Sequence, residues 1–314
     1  MNILITGATG FIGRHLTKTL SSEYNITAVT RTPACVEGAS RVVVIPDING
    51  YTDWSSILLE IDVVIHLAAR VHVMHENAVN PMKTYMDVNA IGSEVLARQS
   101  SIQGVKRFIY FSTVKVNGEL TNGIPFKETD PPCPSDVYSW SKLIGERFVQ
   151  NVGVNSSMEV ICMRLPVVYG PGVKGNIQRL ASLVARRVPL PFASVHNSRT
   201  MLSIENLEKW VTRALLITDI PTASILIGDP RPVSTAELII QLARGMSLEP
   251  RLWPIPTGVL DLAGRLLHHR NDMSRLLGDL EILPTKTLGA DILSFLEDPV
   301  ECIQRVGGSF VSSR

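Results

Sequence analysis

Cysteine is scarce in this 314-residue chain, and the four present (Cys35, Cys133, Cys162 and Cys302) stand far apart, with no C-x-x-C pair. That spacing speaks against a disulfide-stapled scaffold or a cysteine zinc site and leaves reduced thiols as the expectation. An excess of one charge is also missing, since 30 Lys+Arg offset 29 Asp+Glu. Without a basic field nothing would hold a nucleic-acid backbone, so no nucleic-acid partner is expected. No apolar run reaches the roughly 18 residues that a bilayer span requires. The longest, 257–267, is broken by Asp261 and Arg265, so no stable membrane insertion is expected. No charged-then-apolar leader precedes the first strand pattern, which makes the cytoplasm the expected compartment. His72, His75 and Glu76 lie close together, but no third ligand of zincin spacing accompanies them, and no metal is expected.

What the chain does have is alternation. Runs at 2–6, 26–30, 41–45, 62–67, 106–112 and 159–163 read as strands, several of them so nearly continuous in Val and Ile as to be expected buried on both faces of a parallel sheet. Helical patterns fill the gaps at 11–22, 54–60, 81–102 and 137–152. Such βαβ succession predicts an α/β fold with a doubly wound parallel sheet. After residue 160 the alternation breaks down and 12 of the 19 prolines occur. One more strand is expected at 224–227. A helix should start at Ser234, capped with Glu237 three residues on, and further helices at 255–267 and 292–306.

The sharpest local signal is Thr6-Gly7-Ala8-Thr9-Gly10-Phe11-Ile12-Gly13, between the first strand and the first helix. Gly7 would permit the tight turn, Gly10 would let a pyrophosphate approach the backbone, and Gly13 would let the helix lie close to the sheet. The helix N-terminus then offers free N–H groups to the phosphates. This context predicts dinucleotide binding. About 20 residues beyond the glycines an NAD site carries an acid for the ribose. Here the second strand ends Ala28-Val29-Thr30-Arg31, without one. Arg31 could pair with a 2′-phosphate, so NADP is expected, with NAD the alternative. The competing reading of Arg31 is a solvated strand-end cation. Asp47 and Ile48 are placed to border the adenine.

Tyr138 and Lys142 sit at i and i+4 on a predicted helix, so phenol and ammonium share a face. A phenol beside a cation is expected to lose its proton more easily and to act as the acid–base group of a hydride-transfer enzyme. Thr113, or Ser112, at the carboxyl end of the fifth strand would hydrogen-bond the reacting oxygen. The bland alternative for that hydroxyl is a bond to its own turn.

These features together resemble the extended short-chain dehydrogenase/reductases, the NAD-dependent epimerase/dehydratase family of nucleotide-sugar enzymes. The residues that carry the resemblance are TGATGFIG at 6–13, His66-Leu67-Ala68-Ala69, Asn89, FST…NGE at 111–119, YSWSK at 138–142 and Arg164-Leu165-Pro166…Tyr169-Gly170-Pro171-Gly172. The resemblance implies a Rossmann domain over 1–165, with 198–229 returning to it, and a smaller α/β substrate-binding domain over 166–314. It implies Tyr138, Lys142 and Thr113 (or Ser112) as the catalytic set. The cofactor would be lined by Gly7, Gly10, Phe11, Ile12, Gly13, Leu67, Ala68 and Ala69, with Asn89 and Pro166 on the nicotinamide side. A UDP-sugar would meet Thr113, Lys115, Tyr138, Asn176 and Arg199. It also implies a homodimer formed by the helices at 81–102 and 137–152. Sugar-nucleotide 4,6-dehydratases place Asp-Glu after the catalytic threonine, where this chain has Val114 and Lys115. The 71–74 and 113–119 stretches look most like bacterial 4-reductases of UDP-4-keto-6-deoxy-N-acetylhexosamines serving surface polysaccharide (lipopolysaccharide, O-antigen) synthesis. Reduction of that C4 ketone is therefore the first expectation, and a UDP-hexose 4-epimerase the alternative.

Overall fold

A computed structural model describes residues 1–71, 80–218, 220–266 and 270–312. The histidine cluster at 72–76, most of the 71–74 stretch, and His268 and His269 lie outside the described residues. Among the described residues there are nine strands: β1 (Asn2–Thr6), β2 (Asn25–Thr30), β3 (Arg41–Val44), β4 (Val63–His66), β5 (Arg107–Thr113), β6 (Glu159–Leu165), β7 (Val167–Tyr169), β8 (Met201–Ser203) and β9 (Ala223–Leu226). Seven of them form one sheet in the order β3-β2-β1-β4-β5-β6-β9, and every pairing is parallel. This is the doubly wound Rossmann arrangement, with its topological switch point between β1 and β4. β5 is buried along its whole length, as a central strand covered by helices on both faces must be.

Helices α1 (Phe11–Leu20), α2 (Pro81–Met86), α3 (Ser93–Ile102) and α4 (Val137–Val154) connect the strands. The single helix expected over 81–102 is interrupted, because a π-helical turn, Asp87–Gly92, joins α2 to α3. No helix forms at 54–60. There Ile57 and Leu58 both donate to the Trp54 carbonyl, Gln99 Oε1 takes the Trp54 N–H, and Glu60 adopts a positive φ of 65°, which a continuing helix forbids. Trp54, Ile57 and Leu58 still bury their side chains, in the cluster that Leu4, Val64, Leu96, Phe108 and Val160 build beneath the sheet. The helical apolar spacing is thus satisfied by compact turns.

Beyond β6 come α5 (Asn176–Ala185), α6 (Ile204–Leu216), α7 (Thr235–Gly245), α8 (Thr257–Leu266), α9 (Arg270–Leu277), α10 (Ile292–Phe295) and α11 (Pro299–Ser312). Ser234 caps α7, its side chain accepting from Glu237 N. The helix expected at 292–306 is two, since Pro299 cannot extend α10 and instead begins α11. β7 and β8 make a separate parallel pair.

By internal packing the chain divides into two units. The first comprises Met1–Gly118, Glu128–Leu165 and Ala214–Leu226; the second comprises Glu119–Lys127, Pro166–Arg213 and Ile227–Arg314. In the second unit the Tyr169 hydroxyl donates to Asp229 Oδ2 at 2.7 Å, while Ser203 N and Asn206 Nδ2 donate to Oδ1. Burial pushes this carboxyl up to about 6 despite those donors. Among the described residues no helix is long and apolar enough to cross a membrane.

In the first unit a buried ion pair ties α4 to β6. Arg164 donates through Nε and Nη2 to the Glu146 carboxylate (2.7–3.2 Å) and through Nη1 to Asn117 Oδ1, while Ser224 Oγ donates to Glu146 Oε2. Both charged side chains are nearly inaccessible, so removing one partner strands the other. Glu146→Ala is expected to lower the unfolding free energy by about 3–5 kcal/mol, read as a fall in the urea midpoint.

Candidate active site

The site is built on the carboxyl ends of β1, β4 and β5 and on the first turns of α4. The chain leaves β1 through Gly7 at φ +70°, where a Cβ would lie 2.9 Å from Ala68 N. Gly7 therefore closes the switch point against the Leu67–Ala68 exit from β4, and any side chain would force the two strand ends apart. A Cβ on Gly13 would lie 2.3 Å from the Gly7 carbonyl oxygen, so the third glycine is what seats α1 against the turn. Gly10 is the N-cap of α1, with extended backbone and no side-chain cap. Thr9 and Gly10 are exposed, and Phe11 and Ile12 half-buried. An uncapped helix N-terminus behind a cradle that admits no Cβ fits the diphosphate of a dinucleotide. Leu67, Ala68 and Ala69 are half-buried beside it, and Ile48 packs where a Cβ on Gly92 would meet its Cγ2 at 2.8 Å. Asp47 and Arg31 are both exposed.

The floor is polar and closed. Thr6 Oγ1 and His66 Nδ1 are hydrogen-bonded at 2.6 Å, Ala68 N donates to Thr6 Oγ1, and His66 Nε2 bonds Ser93 Oγ at 2.9 Å. Burial, aided by the Lys142 charge, drives the His66 imidazole down to about 3, so it is neutral throughout the physiological range. Asn89, fully buried on the π-helical turn, accepts from Arg70 N through Oδ1 and donates through Nδ2 to the Arg70 carbonyl and to Ser141 Oγ. Ser141 in turn donates to the Tyr138 carbonyl at 2.7 Å. Asn89 thus bonds the exit loop of β4 to the first turn of α4. Both hydrogens of its amide are committed inside the protein.

Tyr138 and Lys142 lie on α4 one turn apart, with Tyr110 of β5 as their common neighbour. The Lys142 ammonium sits 3.9 Å from the Tyr110 ring centroid, and the Tyr110 hydroxyl donates to the Asn89 carbonyl. Tyr138 packs edge-on against Tyr85, ring centroids 6.4 Å apart, and the Arg70 guanidinium lies over the other ring at 5.4 Å. Burial pulls Lys142 down to about 7 against the opposing pull of Glu146 and Cys162. The expected easing of proton loss from Tyr138 is not found. Burial, the Asp136 carboxylate and Tyr85 together hold its phenol well above the ordinary value, and the Lys142 charge faces Tyr110 and His66.

Thr113 ends β5 nearly buried, and its Oγ1 accepts from Lys115 N, capping the one-turn segment Val114–Val116. Ser112 Oγ is buried without a hydrogen-bond partner. Lys115, expected at the substrate, has its ammonium 2.7 Å from Asp136 Oδ2. In the second unit, Asn176 is exposed at the start of α5, Pro166 is buried directly after β6, and Arg199 donates through Nη1 to the Gly278 carbonyl. Burial and the nearby Arg275 lower the Arg199 guanidinium, against the pull of Asp279. Tyr85, Tyr110, Asp136 and Arg275 escaped the sequence reading. Only Asp136 had a local signature, as an N-cap with Ser139 at N3.

Two outcomes test this geometry. Gly13→Ala should abolish retention of a dinucleotide on the purified protein, read by absorbance after acid release. Lys142→Met should raise the melting temperature by several degrees below pH 7, where the wild type holds a buried charge. The folded-state pKa of about 7 lies below the unfolded value, so wild-type stability recovers as pH rises. The gap should therefore narrow between pH 7 and 10.

Residues 3–210 match the profile of the NAD dependent epimerase/dehydratase family. A UDP-glucose 4-epimerase from Vibrio cholerae is 39% identical over 290 residues, spanning 90% of this chain and 87% of its own. The fold is shared with MoeE5 in complex with UDP-glucuronic acid and NAD (TM-score 0.76, 23% identity, 100% of both chains). It is shared also with a UDP-glucuronic acid 4-epimerase from Bacillus cereus in complex with NAD (TM-score 0.65, 23% identity, 98% and 99% covered). The expectation of NADP is overturned by these findings, since the family is NAD dependent and both of these solved structures hold NAD. Arg31 gives no ground to resist the correction. It is exposed at the end of β2, and a lone solvated cation does not define a phosphate site. The chain is a Rossmann-fold enzyme and belongs to the NAD dependent epimerase/dehydratase family.

Proposed function

We propose that this protein is an NAD-dependent UDP-hexose 4-epimerase, acting on UDP-glucose or its N-acetylamino counterpart. The observation that carries the proposal is the 39% identity to the Vibrio cholerae UDP-glucose 4-epimerase across nine-tenths of the chain. The 4-keto reductase reading drew its strength from two short stretches, one of them mostly outside the described residues, and it yields to a likeness that extends over both units. Dehydratases also occur among the relatives. However, elimination of water needs an acid and a base of its own, and the two positions after Thr113 hold Val114 and Lys115.

Bound NAD would supply the acceptor for the C4 hydride. The protein's own part is proton handling and positioning. Tyr138 takes the proton of the sugar 4-hydroxyl and later returns it. Thr113 donates its hydroxyl hydrogen to the same oxygen, a role open to it because its bond to Lys115 N uses a lone pair. Lys142, one turn further along α4, holds its ammonium on the Tyr110 ring beside that group, where it would meet the ribose of the cofactor. Arg199 and Arg275 in the second unit supply paired guanidinium groups of the kind that binds a diphosphate. The phenol is held in its protonated form at neutral pH, so the rate of the proton-abstracting direction should climb as pH rises.

Purified protein supplied with UDP-galactose should release UDP-glucose without added NADPH, followed by coupling to UDP-glucose dehydrogenase. NADPH-dependent reduction of a UDP-4-keto-6-deoxy sugar, with no interconversion of hexoses, would falsify the epimerase assignment. Tyr138→Phe should cut turnover by roughly 10²–10⁴-fold while NAD stays bound.

A further inference from the structure

Two residues beside the proposed base are unexplained by the chemistry above. Asp136 is the N-cap of α4: its Oδ1 accepts from Ser139 N and Ser139 Oγ, both at 2.7 Å. Tyr138 lies within that capped turn, so a fixed carboxylate stands two residues from the group that must lose a proton. Capping needs an acceptor oxygen and not a charge, since Asn or Ser caps a helix about as well. The charge itself is a burden here, because an anion near a phenol opposes its ionisation. The second carboxylate oxygen is engaged by Lys115, whose Nζ lies 2.7 Å from Asp136 Oδ2 and which arrives from the end of β5. The two side chains are only 21% and 25% exposed, so solvent screens the pair less than it would a surface pair.

We propose that Lys115 is a positioning residue that compensates the α4-capping carboxylate of Asp136 and so shields the Tyr138 hydroxyl from that charge, instead of binding the sugar. The inference rests on Tyr138 being the proton-transfer group. The other groups facing Tyr138 do not take over this task. Tyr85 from α2 and Tyr110 from β5 are themselves phenols. The Lys142 ammonium is seated on Tyr110, and the Arg70 guanidinium lies over Tyr85. Burial pushes the Asp136 carboxyl up, but the bonds from Lys115 and Ser139 outweigh it and hold it below the usual carboxylate range, so the charge to be compensated is present at neutral pH.

The test uses the full-length protein loaded with oxidised NAD, whose ring charge would draw the phenol down toward the accessible range, labelled with [13Cζ]tyrosine and titrated from pH 6 to 11, the Tyr138 resonance being assigned by its loss in Tyr138→Phe. Lys115→Met should move the Tyr138 titration, and with it the rising limb of the kcat/KM profile, up by about one pH unit. At pH 7 that lowers kcat/KM about tenfold with KM for the UDP-sugar little changed. Lys115→Arg should restore both. Asp136→Asn, which keeps the cap, should move the titration down, and adding Lys115→Met to it should move it back up toward the wild-type value, because the two opposite charges then leave together. The proposal is overturned if the Tyr138 titration is the same in all five proteins, if Lys115→Met raises KM without moving the profile, or if Asp136→Asn leaves the titration where it is. The NMR titration needs no turnover, so a failed epimerase assay would sink the functional assignment and leave this one to be judged separately.

Discussion

The ammonium of Lys142 is buried to the point of inaccessibility, and much of the first unit is arranged to tolerate it. A cation taken from water costs several kcal/mol unless its surroundings return the lost solvation. Here the return comes from the face of Tyr110 and from the field of Glu146 one turn further along α4. Glu146 cannot serve as a full partner, because Arg164 already holds its carboxylate at two points. The lysine is left incompletely compensated, and the outcome is a side chain pulled down to about 7. Burial, aided by the Lys142 charge, keeps His66 neutral, so that its ring can bond Thr6 and Ser93 as a fixed strut beneath the glycine turn.

Rigid placement around that charge is a matter of hydrogen bonds that skip across elements. Asn89 is held on a π-helical turn, where the widened backbone lets one side chain bond both the β4 exit and Ser141. Its own carbonyl takes the Tyr110 hydroxyl and the Ser93 hydroxyl. The position of α4 is therefore set from β4, β5 and the π-turn together. Tyr138 inherits that position through the bond from Ser141 to its carbonyl. A buried network of this kind is stable only when each member is satisfied, and the resemblance-based placing of Asn89 at the nicotinamide would have to draw on a side chain already engaged.

Much of the frame was legible in the chain itself. The Val- and Ile-rich runs became β1 to β6 with shifts of only a residue or two at their ends, because inner parallel strands must be apolar on both faces, while β3, at the sheet edge, is mostly exposed. The glycine pattern announced its turn, since only glycine tolerates the positive φ at position 7 and the contact at position 13. At 54–60 apolar spacing alone does not distinguish a helix from the compact turns found there, since both bury Trp54, Ile57 and Leu58. Arg31 stands exposed after β2, and residue type at a strand end says nothing of what surrounds it.

Determined by sequence alone were the succession β1 to β6, the phosphate-binding turn and the presence of tyrosine and lysine on one helical face, since each depends on residues within a few positions of one another. The acid–base character of those residues was decided only by tertiary structure. It depends on Tyr85, Tyr110, Asp136 and Glu146 converging from α2, β5 and α4, and on the loss of water around Lys142. Burial and charge fields act through space, and spacing along the chain does not record them.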